Sequence, residues 1–311
     1  MKHMFSKDAK LAQLGFAENQ TSHVESAVNE ALHPDIQYPQ LVPVDTSASE
    51  FARSVTYYSS DKYGKADWIN GNSNDIPVAG SEMAKHEKMV YMAGVGYSWG
   101  FEELGQAMML GRNLQADDAM AARRAYEEMV DRVALYGDDT KGFQGITNNT
   151  GVTVEAATNG DWNDATTTGD QMAADINAAL LGLGEDVGFT SMANTLLVGP
   201  RKMERLGTVR MGDTSETVAT FLREKNLYTA TTGQPLTIRA VRGLDTAGAA
   251  GAARMIAYRR DPAVLKLHIP MPHRFLPVYQ DGALNMVVPG VFRLGGVDIR
   301  RPKEVRYIDG I

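Results

Sequence analysis

Apolar positions near the start of the chain recur at intervals of three and four. Leu11, Leu14, Val24, Ala27, Val28, Ala31 and Leu32 make one stripe, Ser22 with Glu25 makes a capping box, and Pro34 closes the run. A helical arm is therefore predicted over 1–35. Residues 36–48 (IQYPQLVPVDTSA) mix prolines with apolar residues and predict an extended strap. Phe51–Ser60 is rich in β-formers, and Lys88–Trp99 alternates, with Met89, Tyr91, Ala93, Val95, Tyr97 and Trp99 on one face. Between these runs, Asp61–Glu87 is polar and rich in Gly, Asn and Asp, so the segment reads as a long hairpin with a wide tip. An unstructured loop of about 25 residues is unusual in a compact domain. Tyr57, Tyr58, Tyr63 and Trp68 are costly to leave bare, so an arm lying on another subunit is preferred to a disordered surface loop.

A short helix is predicted over Phe101–Leu110. The strongest helix follows, Asn113–Tyr136, with Asn113 as cap, Asp117 and Asp118 early, and Gly137 as terminator. Its stripe is Leu114, Ala121, Ala122, Ala125, Met129, Val133 and Tyr136, and Arg124/Glu128 and Glu128/Arg132 sit four apart. It spans roughly 36 Å, enough for the spine of an elongated subunit. From residue 138 the texture becomes turn-rich, and a domain boundary falls near Asn149. Helices over Asp170–Leu183, Arg201–Leu206 and Glu216–Lys225 then alternate with strands Thr195–Val198, Pro235–Val241 and Arg254–Tyr258. That order gives a second, α/β domain. The tail from Val264 to Tyr307 reads as several strands split by Pro and Gly.

Composition narrows the function. The 311 residues are 43% hydrophobic and 22% charged, which is globular. The absence of cysteine excludes disulfides, thiolate metal sites and cysteine nucleophiles. A net charge of −7 argues against a general nucleic-acid binder. No apolar run approaches the ~20 residues of a spanning helix, and the first residues lack the apolar core of a signal peptide, so a soluble protein is expected.

Gly96-Tyr-Ser98-Trp-Gly100 matches G-x-S-x-G after a strand and before a helix, and it is the best enzymatic lead. A hydrolase built on Ser98 would need a downstream histidine, and only His268 and His273 are available. No histidine sits at metal-ligand spacing, so no metal or cofactor site is expected. Arg300-Arg301-Pro-Lys303 and Arg123-Arg124 are short basic runs. With Glu127, Glu128 and Asp131 nearby on the long helix, they are read either as solvated faces or as reciprocal ion pairs between subunits.

The order arm, strap, long hairpin, short helix, spine helix, α/β domain and returning β tail resembles the major capsid protein of tailed bacteriophages, a fold shared with encapsulins and the herpesvirus capsid floor. The stretch Ala119–Asn149, AMAARRAYEEMVDRVALYGDDTKGFQGITNN, is similar to the family's spine helix and its exit, and the ending FRLGGVDIRRPKEVRYIDGI is similar to one phage branch. The resemblance implies an α+β fold with an N-terminal arm over 1–49, an E-loop hairpin over 50–99 lying on a neighbour, a peripheral domain over 100–148 and 263–311, and an axial domain over 149–262. Thr208–Ser215 and Gly243–Gly251 are the candidates for its axis-facing tip.

The implied function is a self-assembling shell of pentamers and hexamers around double-stranded DNA, with an encapsulin-like compartment as runner-up. The implied partners are other copies, a separate scaffolding protein, a portal and packaged DNA, with a decoration protein as a further candidate and no membrane. The implied location is the virion, after assembly in the host cytoplasm. Some relatives cross-link a hairpin lysine to an asparagine. Lys62 and Lys65 lie in the right loop, but no partner asparagine is identifiable, so no cross-link is expected. The candidate contact residues are Tyr57, Tyr63, Trp68, Arg123, Arg124, Glu127, Glu128, Arg300 and Arg301.

Overall fold

The structure is a computed structural model that describes residues 34–69, 76–109 and 114–311. The helix expected over 1–35 lies outside the described residues but for Pro34 and Asp35, and so does the Asn113 cap.

The strap is not wholly extended. It opens with a single helical turn, α1 (Tyr38–Leu41), because Pro39 suits the first turn of a helix as well as a strand. Strand β1 (Val44–Asp45) follows. The hairpin is β2 (Ser54–Tyr63) and β3 (Gly80–Met89), paired antiparallel from Ser54↔Met89 to Tyr63↔Gly80. Its ladder therefore runs well into the segment expected to be loop.

The expected single strand over Lys88–Trp99 is split among three sheets. Its first residues end β3, β4 (Tyr91–Gly94) follows, and β5 (Tyr97–Gly100) completes the run. The break is explained on the partner side, where Pro289 separates β15 (Asn285–Val288) from β16 (Gly290–Leu294). Proline has no N–H to continue a ladder, so β5 pairs with β15 and β4 with β16 in different sheets.

Helix α2 (Phe101–Met109) and spine helix α3 (Leu114–Tyr136) match expectation. The buried side of α3 is Ala122, Tyr126, Val130, Val133, Ala134 and Leu135, whereas Ala121 and Ala125 of the expected stripe are exposed. The true stripe is set by Tyr126, which the small alanines beside it masked. Beyond the helix, Gly137 adopts φ +79°, and the chain folds back through β6 (Gly137–Asp138) and β7 (Phe143–Gln144). There the amides of Ile146 and Thr147 donate to the carbonyls of Ala134 and Leu135, and the Asn148 side chain donates to Tyr136 O at 2.8 Å. This satisfies the last carbonyls of α3. A Cβ at Gly145 would lie 2.1 Å from Leu135 O, so that return tolerates only glycine. The run Gly142-Phe-Gln-Gly-Ile-Thr-Asn148, within the stretch that resembles the family's spine-helix exit, is thus a helix C-cap.

The remaining elements are β8 (Thr153–Ala156), α4 (Gly169–Asp186), β9 (Thr195–Val198), α5 (Pro200–Thr208), α6 (Val218–Glu224), α7 (Leu227–Thr232), β10 (Thr237–Ala240), β11 (Arg254–Tyr258), β12 (Leu265–His268), β13 (Met271–Phe275), β14 (Tyr279–Gln280), β15, β16, β17 (Gly296–Ile299) and β18 (Val305–Asp309). Residues 36–311 make one compact unit.

Its centre is a five-stranded sheet in the order β10-β9-β11-β18-β8. Alternate residues of that sheet enter two cores. Leu197, Ile256, Tyr258 and Tyr307 face α3 and the strap. Leu196, Val198, Met255 and Ile308 face α4, through Met172, Ile176, Leu180 and Leu183. Burial on both faces explains why RMIAY reads as a continuous run. The last strand, β18, pairs here between β11 and β8, although the strands just before it in sequence form other sheets.

Candidate assembly surface

The hairpin is held at its root and bare beyond it. Arg293 donates to the carbonyls of Glu50 and Val90, and Arg274 pairs with Glu50 at 3.0 Å. Successive side chains alternate between the two faces of the ribbon. One face carries Val55, Tyr57, Ser59 and Asp61 opposite Lys88, His86, Ala84 and Glu82. Tyr57 stacks on His86 with centroids 4.9 Å apart, Ser59 bonds His86 at 2.9 Å, and the Arg300 guanidinium lies 4.5 Å over the Tyr57 ring. This face is turned towards its own subunit.

Arg300 is in turn held by Asp298 at 3.2 Å, and Asp298 is 1% exposed beside the fully buried His268. Burial pushes the Asp298 carboxyl up, but His268 and Arg300 outweigh it and hold it below the usual range. Across His268, Asp45 of the strap pairs with Lys266 at 3.1 Å and accepts from Ser47. Burial raises Asp45 as well, and the Ser47 and Lys266 contacts bring it far below the usual value. Strap, tail and hairpin root thus share one polar network that no local motif signals.

The predicted contact residues divide in two. Tyr63 and Arg301 are exposed, Trp68 is 101% exposed, and Arg123 lies on the outer side of α3. By contrast, Tyr57 and Arg300 lock the hairpin root. Arg124 pairs with Glu128 along α3 at 3.1 Å, and Glu127 accepts from the Tyr38 hydroxyl at 2.8 Å. Asp131 is buried and accepts the amides of Gln37 and Tyr38, both at 2.8 Å, while pairing with Arg242. The acidic side of the spine helix therefore docks the strap of its own chain. Arg301 bonds Glu304, three residues away. Exposed apolar residues that the sequence did not single out include Met83, Phe101, Met109, Val278 and Leu284. Singly they resemble ordinary core positions, and no periodicity separates them from the core.

Ser98 is not a nucleophile elbow. It lies within the regular β5–β15 ladder opposite Val287, with no positive φ. Both downstream histidines are engaged elsewhere. His268 is sandwiched between Asp45 and Asp298, and His273 stacks on Tyr126 and contacts Val95 O at 3.0 Å.

A family model described as major capsid protein matches residues 64–311. The chain belongs to the major capsid protein family. Solved capsid structures share its fold. The capsid of Myoviridae phage XM1 superposes with a TM-score of 0.80 at 18% identity, covering 94% of this chain and 98% of that one. The capsid of a native GTA particle gives 0.64 at 10% identity over 93% and 94%, and a structure titled Mycobacterium phage Bobi gives 0.61 at 12% over 94% and 97%. A comparison with curated proteins found no match.

Proposed function

We propose that this chain is the shell subunit of a tailed phage. It assembles into pentamers and hexamers that close an icosahedral head around double-stranded DNA. The observation that carries the reading is the hairpin. A two-stranded ribbon is marginal by itself, yet this one exposes Tyr58, Tyr63, Trp68 and Met83 on a well-packed body. Burying such residues on neighbours repays their exposure, and many weak contacts sum over a closed lattice. Tyr63, Trp68, Arg123 and Arg301 are the residues offered to neighbours. Tyr57, Arg124, Glu127, Glu128 and Arg300 hold those elements in place.

Within the subunit we assign 1–49 to the arm, 50–99 to the E-loop, 100–148 and 263–311 to the peripheral domain, with β18 of that tail joining the central sheet between β11 and β8, and 149–262 to the axial domain. Thr208–Ser215 is the better axis-facing tip. The alternative, Gly243–Gly251, is tied to the body by the Ala249 amide on Asp309 and the Tyr136 hydroxyl on Arg242 O. A separate scaffolding protein, a portal and a decoration protein complete the head, which assembles in the host cytoplasm. The acidic shell holds DNA without sequence preference.

The test is size-exclusion chromatography with electron microscopy of the full chain, followed by analysis of particle contents. Rings or closed particles enclosing nuclease-protected DNA support the reading. A 33.9 kDa monomer at every concentration refutes it, and particles filled with protein cargo favour the encapsulin-like alternative.

A further inference from the structure

His268, at the end of β12, is fully buried between two carboxylates from different parts of the fold. Its Nδ1 faces Asp45 of the strap at 3.6 Å, and its Nε2 faces Asp298 of β17 at 3.5 Å. Neither ring nitrogen has another hydrogen-bond partner among the described residues. Three cations stand around the group. Lys266, on the same strand, lies 3.1 Å from Asp45, Arg300 lies 3.2 Å from Asp298, and the charge of Lys88 at the hairpin root acts on Asp298. Tyr57, whose phenol burial holds above its usual value, lies against Arg300. Gly295 packs on the Cβ side of His268 and brings no charge.

An imidazole can donate to two carboxylates only when both nitrogens carry hydrogen. The neutral ring has one N–H and turns a lone pair towards the other acid. The two acids decide where that hydrogen stays. Asp298 is 1% exposed, and its Oδ1 has no partner among the described residues, so losing the imidazole donor would leave a buried carboxylate short. Asp45 keeps Ser47 and Lys266. The neutral ring therefore holds its hydrogen on Nε2 and presents a bare Nδ1 to Asp45.

The strap has little else to hold it at this point. β1 is two residues long, and Val44 is 42% exposed, so Asp45 is its inward side chain. The amides of Leu267 and Ile269 donate to Pro43 O and Asp45 O at 2.9 and 3.0 Å. β1 also lies between two firmer ties, the Asp131 anchor of α1 and the Glu50 contacts of the hairpin root.

We infer that His268 is a proton-operated clasp on the strap: with both nitrogens protonated it bridges Asp45 and Asp298 and fastens β1 to the tail, and on losing the Nδ1 proton it lets go of Asp45 while keeping Asp298. The clasp opens as pH rises. It gives slack to the segment that leads into the hairpin, while Asp298, Arg300 and Tyr57 still lock the root. Protonation of Asp45 itself acts in acid and has the opposite sign.

Hydrogen exchange of the full chain as the unassembled subunit tests this, at about pH 5.5 and about pH 8.5, on either side of the free imidazole value of about 6.5. Protection factors correct for the intrinsic effect of pH on exchange. Protection over residues 43–48 should fall about tenfold or more at the higher pH, as expected for losing one hydrogen bond to a charged group. Val305–Asp309, in the central sheet, should not change. His268→Gln donates through an amide that does not titrate. It should give the same protection at both pH values, near that of the unmodified chain at the higher one. Asp45→Asn should flatten the response as well. Its side chain is 14% exposed, so this variant keeps the test open where a substitution at the buried histidine does not fold. Circular dichroism checks the folding of each. Equal protection at both pH values in the unmodified chain overturns the clasp, and so does a pH response that survives in either folded variant.

Discussion

Replacing Asp131 with alanine should detach the strap from the spine helix. The carboxylate is 1% exposed and accepts two backbone amides at 2.8 Å, so the substitution leaves the amides of Gln37 and Tyr38 without their acceptor. A hydrogen bond to a charged group contributes about 1.5–3 kcal/mol net. The Arg242 ion pair adds less, because that side chain is 36% exposed and water screens it. The expected cost of Asp131→Ala is about 3–5 kcal/mol, the range for breaking a buried charged network. Arg242→Ala should cost no more than about 1–2 kcal/mol, since Asp131 keeps both amide donors. Urea unfolding of the unassembled subunit measures both. Hydrogen exchange should show loss of protection at the amides of Gln37 and Tyr38 in Asp131→Ala alone. A loss below about 1 kcal/mol for Asp131→Ala, or equal losses for the two variants, would refute this account of how the strap is held.

Three further outcomes are expected. Asp45 has a depressed folded value, so its contribution is full above the free aspartate value of about 3.9 and is lost as pH falls below that towards the folded value; protease sensitivity near residues 43–47 should rise in acid, and Asp45→Asn should remove that pH dependence. Tyr57→Ala deletes the His86 stack and the Arg300 contact, which should speed hydrogen exchange across Ser54–Tyr63 and Gly80–Met89 while leaving the five-stranded sheet protected; unchanged exchange in the ribbon would show that the root is held otherwise. Trp68→Ala should leave subunit stability within about 0.5 kcal/mol, because the side chain is fully exposed, yet weaken assembly measured by light scattering; normal assembly would remove Trp68 from the contact.

Several elements were legible because their cause is local. The spine helix, Thr195–Val198 and Arg254–Tyr258 came from periodicity and β-rich runs, with ends set by Gly137, Gly199 and neighbouring turns. The exit motif after the spine helix was recognisable as a pattern. Its purpose, capping Ala134, Leu135 and Tyr136, became visible only once the chain had turned back. The run over Lys88–Trp99 misled for a related reason. Alternation reports that residues share a face, but which ladder they join depends on Pro289, about two hundred residues away.

The candidate site divides the same way. Aromatic residues in a polar hairpin singled out that segment from sequence, since bare Tyr and Trp are costly wherever they stand, and Tyr58, Tyr63 and Trp68 are exposed there. The split of Glu127, Glu128, Asp131 and Arg300 from the exposed Arg123 and Arg301 could not be read there. Charged residues on one helix look alike until the strap arrives from nearly a hundred positions earlier and claims some of them. Amino-acid order thus determined which segments are helix or strand. Tertiary structure decided which strands share a sheet, which charges are used within the subunit, and which face of the hairpin is turned towards the body. Propensity and periodicity act over a few residues, whereas pairing and burial act between residues that only the folded chain brings together.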